Sequence, residues 1–78
     1  MIITSIKACN NSLLEIELES GKKGYFDLTP YISSEIFSPL KETTELEKFH
    51  NGGYFIEWEC GADLSSDTIE AELKEIAA

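Results

Sequence analysis

Residues 13–19, Leu-Leu-Glu-Ile-Glu-Leu-Glu, set the tightest constraint on how this chain folds. Leu14, Ile16 and Leu18 alternate with Glu15, Glu17 and Glu19. A period of two puts the aliphatic side chains on one face of an extended strand and the carboxylates on the other. Such a strand belongs in an antiparallel sheet with one face on a core and one in water.

The flanking segments extend the pattern. Residues 2–8 read as a first strand with Ile2 and Ile6 on one face, and Asn10-Asn11-Ser12 as the turn after it. Ser20-Gly21-Lys22 turns the chain into a third strand, Lys23 to Leu28. Leu18, Ile16 and Leu14 are expected to face Gly24, Phe26 and Leu28, because a one-residue slip would send Glu15 into the core. That register sets Glu19 opposite Lys23 and leaves a three-residue loop with glycine in its middle, whereas such loops prefer glycine last.

Further on, Thr29-Pro30 reads as an N-cap followed by proline at the first helical position. Ser33-Ser34 and Pro39 interrupt any longer helix, and Phe37 and Leu40 tuck under the sheet. Thr44 and Glu47 have capping-box spacing, which suggests a brief helical turn. Asn51-Gly52-Gly53 is a hairpin signal joining a short strand around Phe49 to a strand from Tyr54 to Trp58. Near the C-terminus, Ser65 is an N-cap with Leu64 and Ile69 as the halves of a hydrophobic staple. Ile69, Leu73 and Ile76 continue as one apolar stripe, and Glu70 and Lys74 as an i, i+4 pair. The expected fold is one α+β domain over residues 1–78: an antiparallel sheet of four to five strands, short helical turns in the middle, and one C-terminal helix.

Charge narrows function more than composition does. The chain has 78 residues, 15 acidic and 6 basic side chains, every base is lysine, and the net charge is -9. Without arginine and with this sign, direct nucleic-acid binding is disfavoured, and an anionic membrane surface repels the chain. A protein partner with a basic surface is steered toward it. The simpler reading of the acid excess is solubility. No stretch approaches the ~20 apolar residues of a bilayer span, and the N-terminus lacks a secretory signal, so the expectation is a cytoplasmic protein. Cys9 and Cys60 form no CxxC pair and are expected as free thiols.

Several elements together carry a resemblance. They are the glycine-turned hairpin, Phe26-Asp27-Leu28-Thr29-Pro30, Phe37 with Leu40, and the block from Trp58 to Thr68, whose sharpest part is Trp-x-x-Gly-x-Asp-Leu-Ser at 58–65. The chain resembles, over nearly its whole length, the small bacterial family catalogued as domain of unknown function 2442. Family members commonly read Trp-Pro-Asn-Gly where this chain has Glu59 and Cys60 in the middle, and often carry a tyrosine where it has Glu70. Some members are fused to a helix-turn-helix domain, and others look like the partner of a small toxin-like protein encoded beside them. The resemblance therefore implies a regulatory or interaction module, antitoxin-like in some members, with no activity to carry over.

No phosphate loop, zinc spacing or nucleophile elbow is present, so the residues call for no cofactor, metal or catalytic set. His50 lacks a recognisable catalytic companion. Cys60 is surrounded by Glu57, Glu59 and Asp63, which oppose thiolate formation, and these three acids lack the patterning of a calcium loop. The candidate interaction residues are Glu15, Glu17 and Glu19 as a docking face, and Trp58 with Asp63 as a binding rim. Against these stand a plain solvated face, and a structural role in which Trp58 is core and Asp63 receives amides at the helix start. Three functions follow: a non-enzymatic interaction module for a basic protein, using the glutamate face or an open sheet edge; a small-ligand or accessory-enzyme domain with a pocket lined by Tyr25, Tyr54 and Trp58; and a homodimer through a sheet edge.

Overall fold

The computed structural model describes residues 2–9 and 12–75. The turn read at Asn10-Asn11 and the stripe's last member, Ile76, lie outside the described residues. Ser12 begins the next segment at φ 61.

Two antiparallel sheets enclose one core. The first contains β1 (Ile3–Cys9), β2 (Leu13–Leu18), β3 (Lys23–Asp27) and the short β7 (Lys74–Glu75), in the order β1-β2-β3-β7. The second is β4 (Phe49–Asn51), β5 (Phe55–Trp58) and β6 (Asp63–Ser65), in the order β4-β5-β6. Between them run three single turns of helix: α1 (Thr29–Ile32), a 3-10 turn at Ser38–Lys41, and α2 (Thr43–Leu46). Helix α3 (Ser66–Glu72) connects β6 to β7. The expected α+β class, antiparallel sheet and C-terminal helix are all present; the strands divide into sheets of four and three.

The alternation at 13–18 does what its period dictates. Leu14, Ile16 and Leu18 are fully buried, and Glu15 and Glu17 stay on the water side. They meet Phe26 and Leu28 from the β3 end, Ile56, Trp58 and Leu64 from the second sheet, Leu40 and Leu46 from the middle turns, and Ile69 from α3. Ile3, not Ile2, takes the core position on β1. The register shifts between Ile3 and Ser5, and this bulge lets Ile3 face Leu18 while Ile6 faces Ile16.

The β2–β3 register differs from expectation by two residues. Leu14 pairs with Phe26, Ile16 with Gly24 and Glu17 with Lys23. A slip of two keeps every side chain on its face, so hydrophobic parity cannot distinguish the two registers. Turn chemistry decides. The observed loop is Glu19-Ser20-Gly21, closed by Leu18 N–H to Lys22 O (2.8 Å) and Gly21 N–H to Leu18 O (2.9 Å). Gly21 now stands last, at φ 91, the left-handed position that a three-residue hairpin requires and that glycine alone fills freely.

The helix starts are also re-assigned. Thr29 is the first residue of α1 rather than its N-cap, and its amide donates to Asp27 Oδ1 at 2.9 Å. No side chain caps α2, whose N-cap is Glu42, so the Thr44–Glu47 box is not formed. Ser65 does cap α3, its Oγ accepting from the Thr68 amide at 3.2 Å, and Leu64 and Ile69 are buried beside it. The helix then stops early. Leu73 adopts an extended conformation (ψ 130) and Lys74 joins a strand, so Glu70 and Lys74 no longer share a helix face.

The middle segment is held by an aromatic run. Phe26 stacks on Tyr31 (5.9 Å between centroids), Tyr31 meets Phe37 (5.4 Å), and Phe37 meets Trp58 edge-on (6.5 Å). The Tyr31 hydroxyl donates to Glu72 Oε2 at 2.6 Å, which ties α1 to the end of α3.

These polar contacts set a pH window. The Thr29 hydroxyl, then its amide, holds the Asp27 carboxyl below its ordinary 3.8. The bond to Glu72, then desolvation, raises the Tyr31 phenol above its ordinary 10.0. A depressed carboxylate pKa contributes stability above the unfolded value and loses it as pH falls through the folded one. A raised phenol contributes below its unfolded value and loses it as pH rises through the folded one. Asp27→Asn should therefore flatten the acid limb of stability below pH about 4, and Tyr31→Phe the limb above about 10, while both leave neutral-pH shape unchanged. Urea midpoints measured across pH check this; an Asp27→Asn protein with an undiminished acid limb refutes the contribution of the Asp27–Thr29 bond.

Candidate functional site

The two sheets present different surfaces. On the outer face of the four-stranded sheet, Lys7 pairs across to Glu15, Glu15 to Tyr25 and Tyr25 to Lys74, while Ser5 pairs to Glu17 and Glu17 to Lys23. Lys23 Nζ also reaches Glu15 Oε1 at 3.8 Å. The glutamates read as a bare acidic row are thus interleaved with lysines from three other strands. Glu19 does not belong to the row: β2 ends at Leu18, and the Glu19 carboxylate in the turn accepts the Ile2 amide at 3.2 Å.

Asp63 and Trp58 come from the three-stranded sheet. Trp58 is 4% exposed. Its indole N–H donates to the Leu46 carbonyl at 3.0 Å, satisfying the end of the α2 turn. Trp58 therefore serves the core and offers no exposed rim for docking. Asp63 is exposed on β6 opposite Glu57, which in turn stands opposite His50 on β4. It does not receive the first amides of α3; Ser65 does. Phe55 shares the outer face with Glu57, and Tyr54 precedes it; they are 41% and 64% exposed. The outer face of this sheet thus combines His50, Phe55, Glu57 and Asp63. Sequence reading missed the grouping because it depends on pairing three strands, and the signal available was the alternation Phe55-Ile56-Glu57-Trp58.

A shallow groove of about 330 Å³ runs along the β4–β5 pair, lined by Lys48, Phe49, His50, Glu57, Trp58 and Glu59. Lys48 is drawn to Glu45 at 3.2 Å. Tyr25 and Tyr54, expected beside Trp58, are not among the lining residues. Among the described residues, no group of three or more His, Cys, Asp or Glu could hold a metal ion. Cys9 and Cys60 are free and half-buried; Cys60 Sγ lies 3.8 Å from the Ile36 carbonyl.

The Trp58–Gly61 block has a backbone explanation. Trp58 N–H bonds Ala62 O and Gly61 N–H bonds Trp58 O, both at 2.9 Å, with Gly61 at φ 100. This is the same three-residue turn as Leu18–Lys22. In both, the residue before the turn is core and the glycine is last; between them Glu19, Ser20 and Glu59 are exposed, while Cys60 is half-buried against the core.

A protein-family model described as "Protein of unknown function (DUF2442)" matches residues 3–75. No curated protein and no solved structure matches the chain.

Proposed function

We propose that this chain, which belongs to the DUF2442 family of proteins of unknown function, is a non-enzymatic interaction module that docks a protein with a basic surface. The outer face of the β4-β5-β6 sheet is the contact. One observation carries the reading: the exposed aromatic Phe55 shares a face with Glu57 and Asp63, which are paired with each other across the strands rather than with lysine, and the exposed Tyr54 precedes it in the chain. Aromatic anchors with a charged surround are what a selective, electrostatically steered interface uses. The Glu15 and Glu17 face is the weaker candidate because its lysines already offset it. The docked protein is then a cationic chain, an antitoxin-like pairing being one form of it. Nucleic acid and anionic membrane are disfavoured by the net charge of -9. Among the described residues no helix is long and apolar enough to cross a membrane. A cytoplasmic setting is part of the proposal.

Titration with a lysine-rich peptide, followed by amide chemical shifts, tests this. Shifts are expected at residues 50, 55–57 and 63, and should weaken as salt rises from about 50 to 200 mM. Glu57→Lys with Asp63→Lys should abolish them, and Glu15→Lys with Glu17→Lys should leave most of the response. Shifts confined to the Glu15 and Glu17 face, or none, overturn the proposal.

A second reading rests on the groove beside Phe49 and Trp58, whose size is at the low end for small-ligand pockets. It makes the chain a ligand-binding or accessory-enzyme domain. It predicts metabolite-dependent shifts of the Phe49 and Trp58 ring protons without effect of the Glu57 and Asp63 reversals.

A further inference from the structure

The longest strand of the molecule lies at an edge. β1 spans seven residues and pairs with β2 on one side. On its other side Ile3 is occupied: its amide donates to Gly53 O (2.7 Å) and its carbonyl accepts from Asn51 Nδ2 (3.1 Å). Among the described residues no backbone hydrogen bond reaches that side between Thr4 and Cys9. A run of unpaired amides and carbonyls of this length is a template for another strand.

Charge says which strand. All 15 acidic residues of the chain lie at position 15 or later, and β1, Ile-Thr-Ser-Ile-Lys-Ala-Cys, contains none. Every other described strand longer than three residues has at least one carboxylate. Two copies of a chain with net charge -9 repel across most of their surfaces. At β1 they do not: the strand carries no carboxylate, and its one charge, Lys7, stands opposite Glu15 of its own sheet. Ile6 and Ala8, on the core side of β1, remain half-buried beside the fully buried Ile16 and Leu14 that they face.

We infer that β1 pairs antiparallel with β1 of a second copy, joining the two four-stranded sheets into one across a two-fold axis near Ile6. In that register Ile6 faces Ile6, and Ser5 faces Lys7. The observed Ile6–Ile16 pair then extends into a row of four isoleucines on the core side. Each copy covers the exposed part of the other's Ile6 and Ala8, an isologous contact of the kind two-fold dimers use. This surface is separate from the β4-β5-β6 face, so either assignment can fail without the other.

Sedimentation of the full chain from micromolar to millimolar concentration, with amide hydrogen exchange at both ends of the range, tests the inference. The expected result is a shift from monomer to dimer mass, with concentration-dependent protection confined to residues 4–8. Ile6→Lys, which sets two ammonium groups face to face at the axis, should raise the dimer dissociation constant about ten-fold or more. Monomer mass throughout, protection that grows elsewhere instead, or an Ile6→Lys dimer as tight as the parent overturns it. If Ile6→Lys fails to fold, the exchange pattern of the parent chain decides.

Discussion

Trp58→Ala should remove about 3–5 kcal/mol of folding stability. Its ring fills the junction between Phe37 and the three-stranded sheet, and its indole N–H is the partner of the Leu46 carbonyl. Truncation opens a cavity and leaves a buried carbonyl without that donor, and the two losses add. A domain this short has a narrow margin, so a loss of this size leaves much of the population unfolded at room temperature. Trp58→Phe keeps most of the packing and loses the donor, for about 1–3 kcal/mol. Urea unfolding followed by far-UV circular dichroism measures both, since the variants lack the fluorophore. An exposed binding rim would give the opposite pattern, with stability retained and affinity lost. A Trp58→Ala midpoint equal to the parent's would show that the side chain is not structural.

Gly24→Val should cost about 2–3 kcal/mol, despite valine's preference for strands. Gly24 is buried on the core side of β3 and pairs with Glu75 of β7. A Cβ there would run into the Lys74 carbonyl oxygen and lie 2.8 Å from the Lys74 carbonyl carbon and 2.9 Å from Glu75 Cα. These are backbone atoms, so no rotamer change relieves the contact. The strand must leave, and with it the Lys22–Glu75 pair at 3.6 Å. Denaturant midpoints give the magnitude, and loss of amide protection at Lys74 and Glu75 with β1–β3 intact gives the location. A Gly24→Val protein of parent stability with β7 still protected would contradict the close approach.

The positions where sequence reading succeeded and failed follow from the range of the interactions involved. The strand at 13–18, the Ser65 cap and the Leu64–Ile69 staple each depend on residues within a few positions of one another, and all are present. The β2–β3 register is not local. Both registers bury the same side chains, and the choice fell to the left-handed glycine at position 21. The α3 stripe misleads for a related reason: Leu73 packs on the core whether the backbone coils or extends, and the bare Gly24 admits the backbone of Lys74 and Glu75 as a strand beside it. Asp63 looks like a helix-start residue because it lies two positions before Ser65, yet a residue in β6 points across at Glu57. Glu15 and Glu17 look bare in the sequence because their lysine neighbours, Lys7 and Lys23, come from other strands. The candidate surface built from His50, Phe55, Glu57 and Asp63 was only partly legible. Phe55 and Glu57 alternate along one strand, whereas His50 and Asp63 arrive by pairing.

The twin turns at Leu18–Lys22 and Trp58–Ala62 bear on how the Trp58–Gly61 block is understood. Glu-Ser-Gly and Glu-Cys-Gly make the same tight reversal, each with its glycine last in the left-handed region. The block is then an instruction for making a corner, legible in duplicate within a single molecule. A partner of this chain has to be sought on the strands that the corner joins.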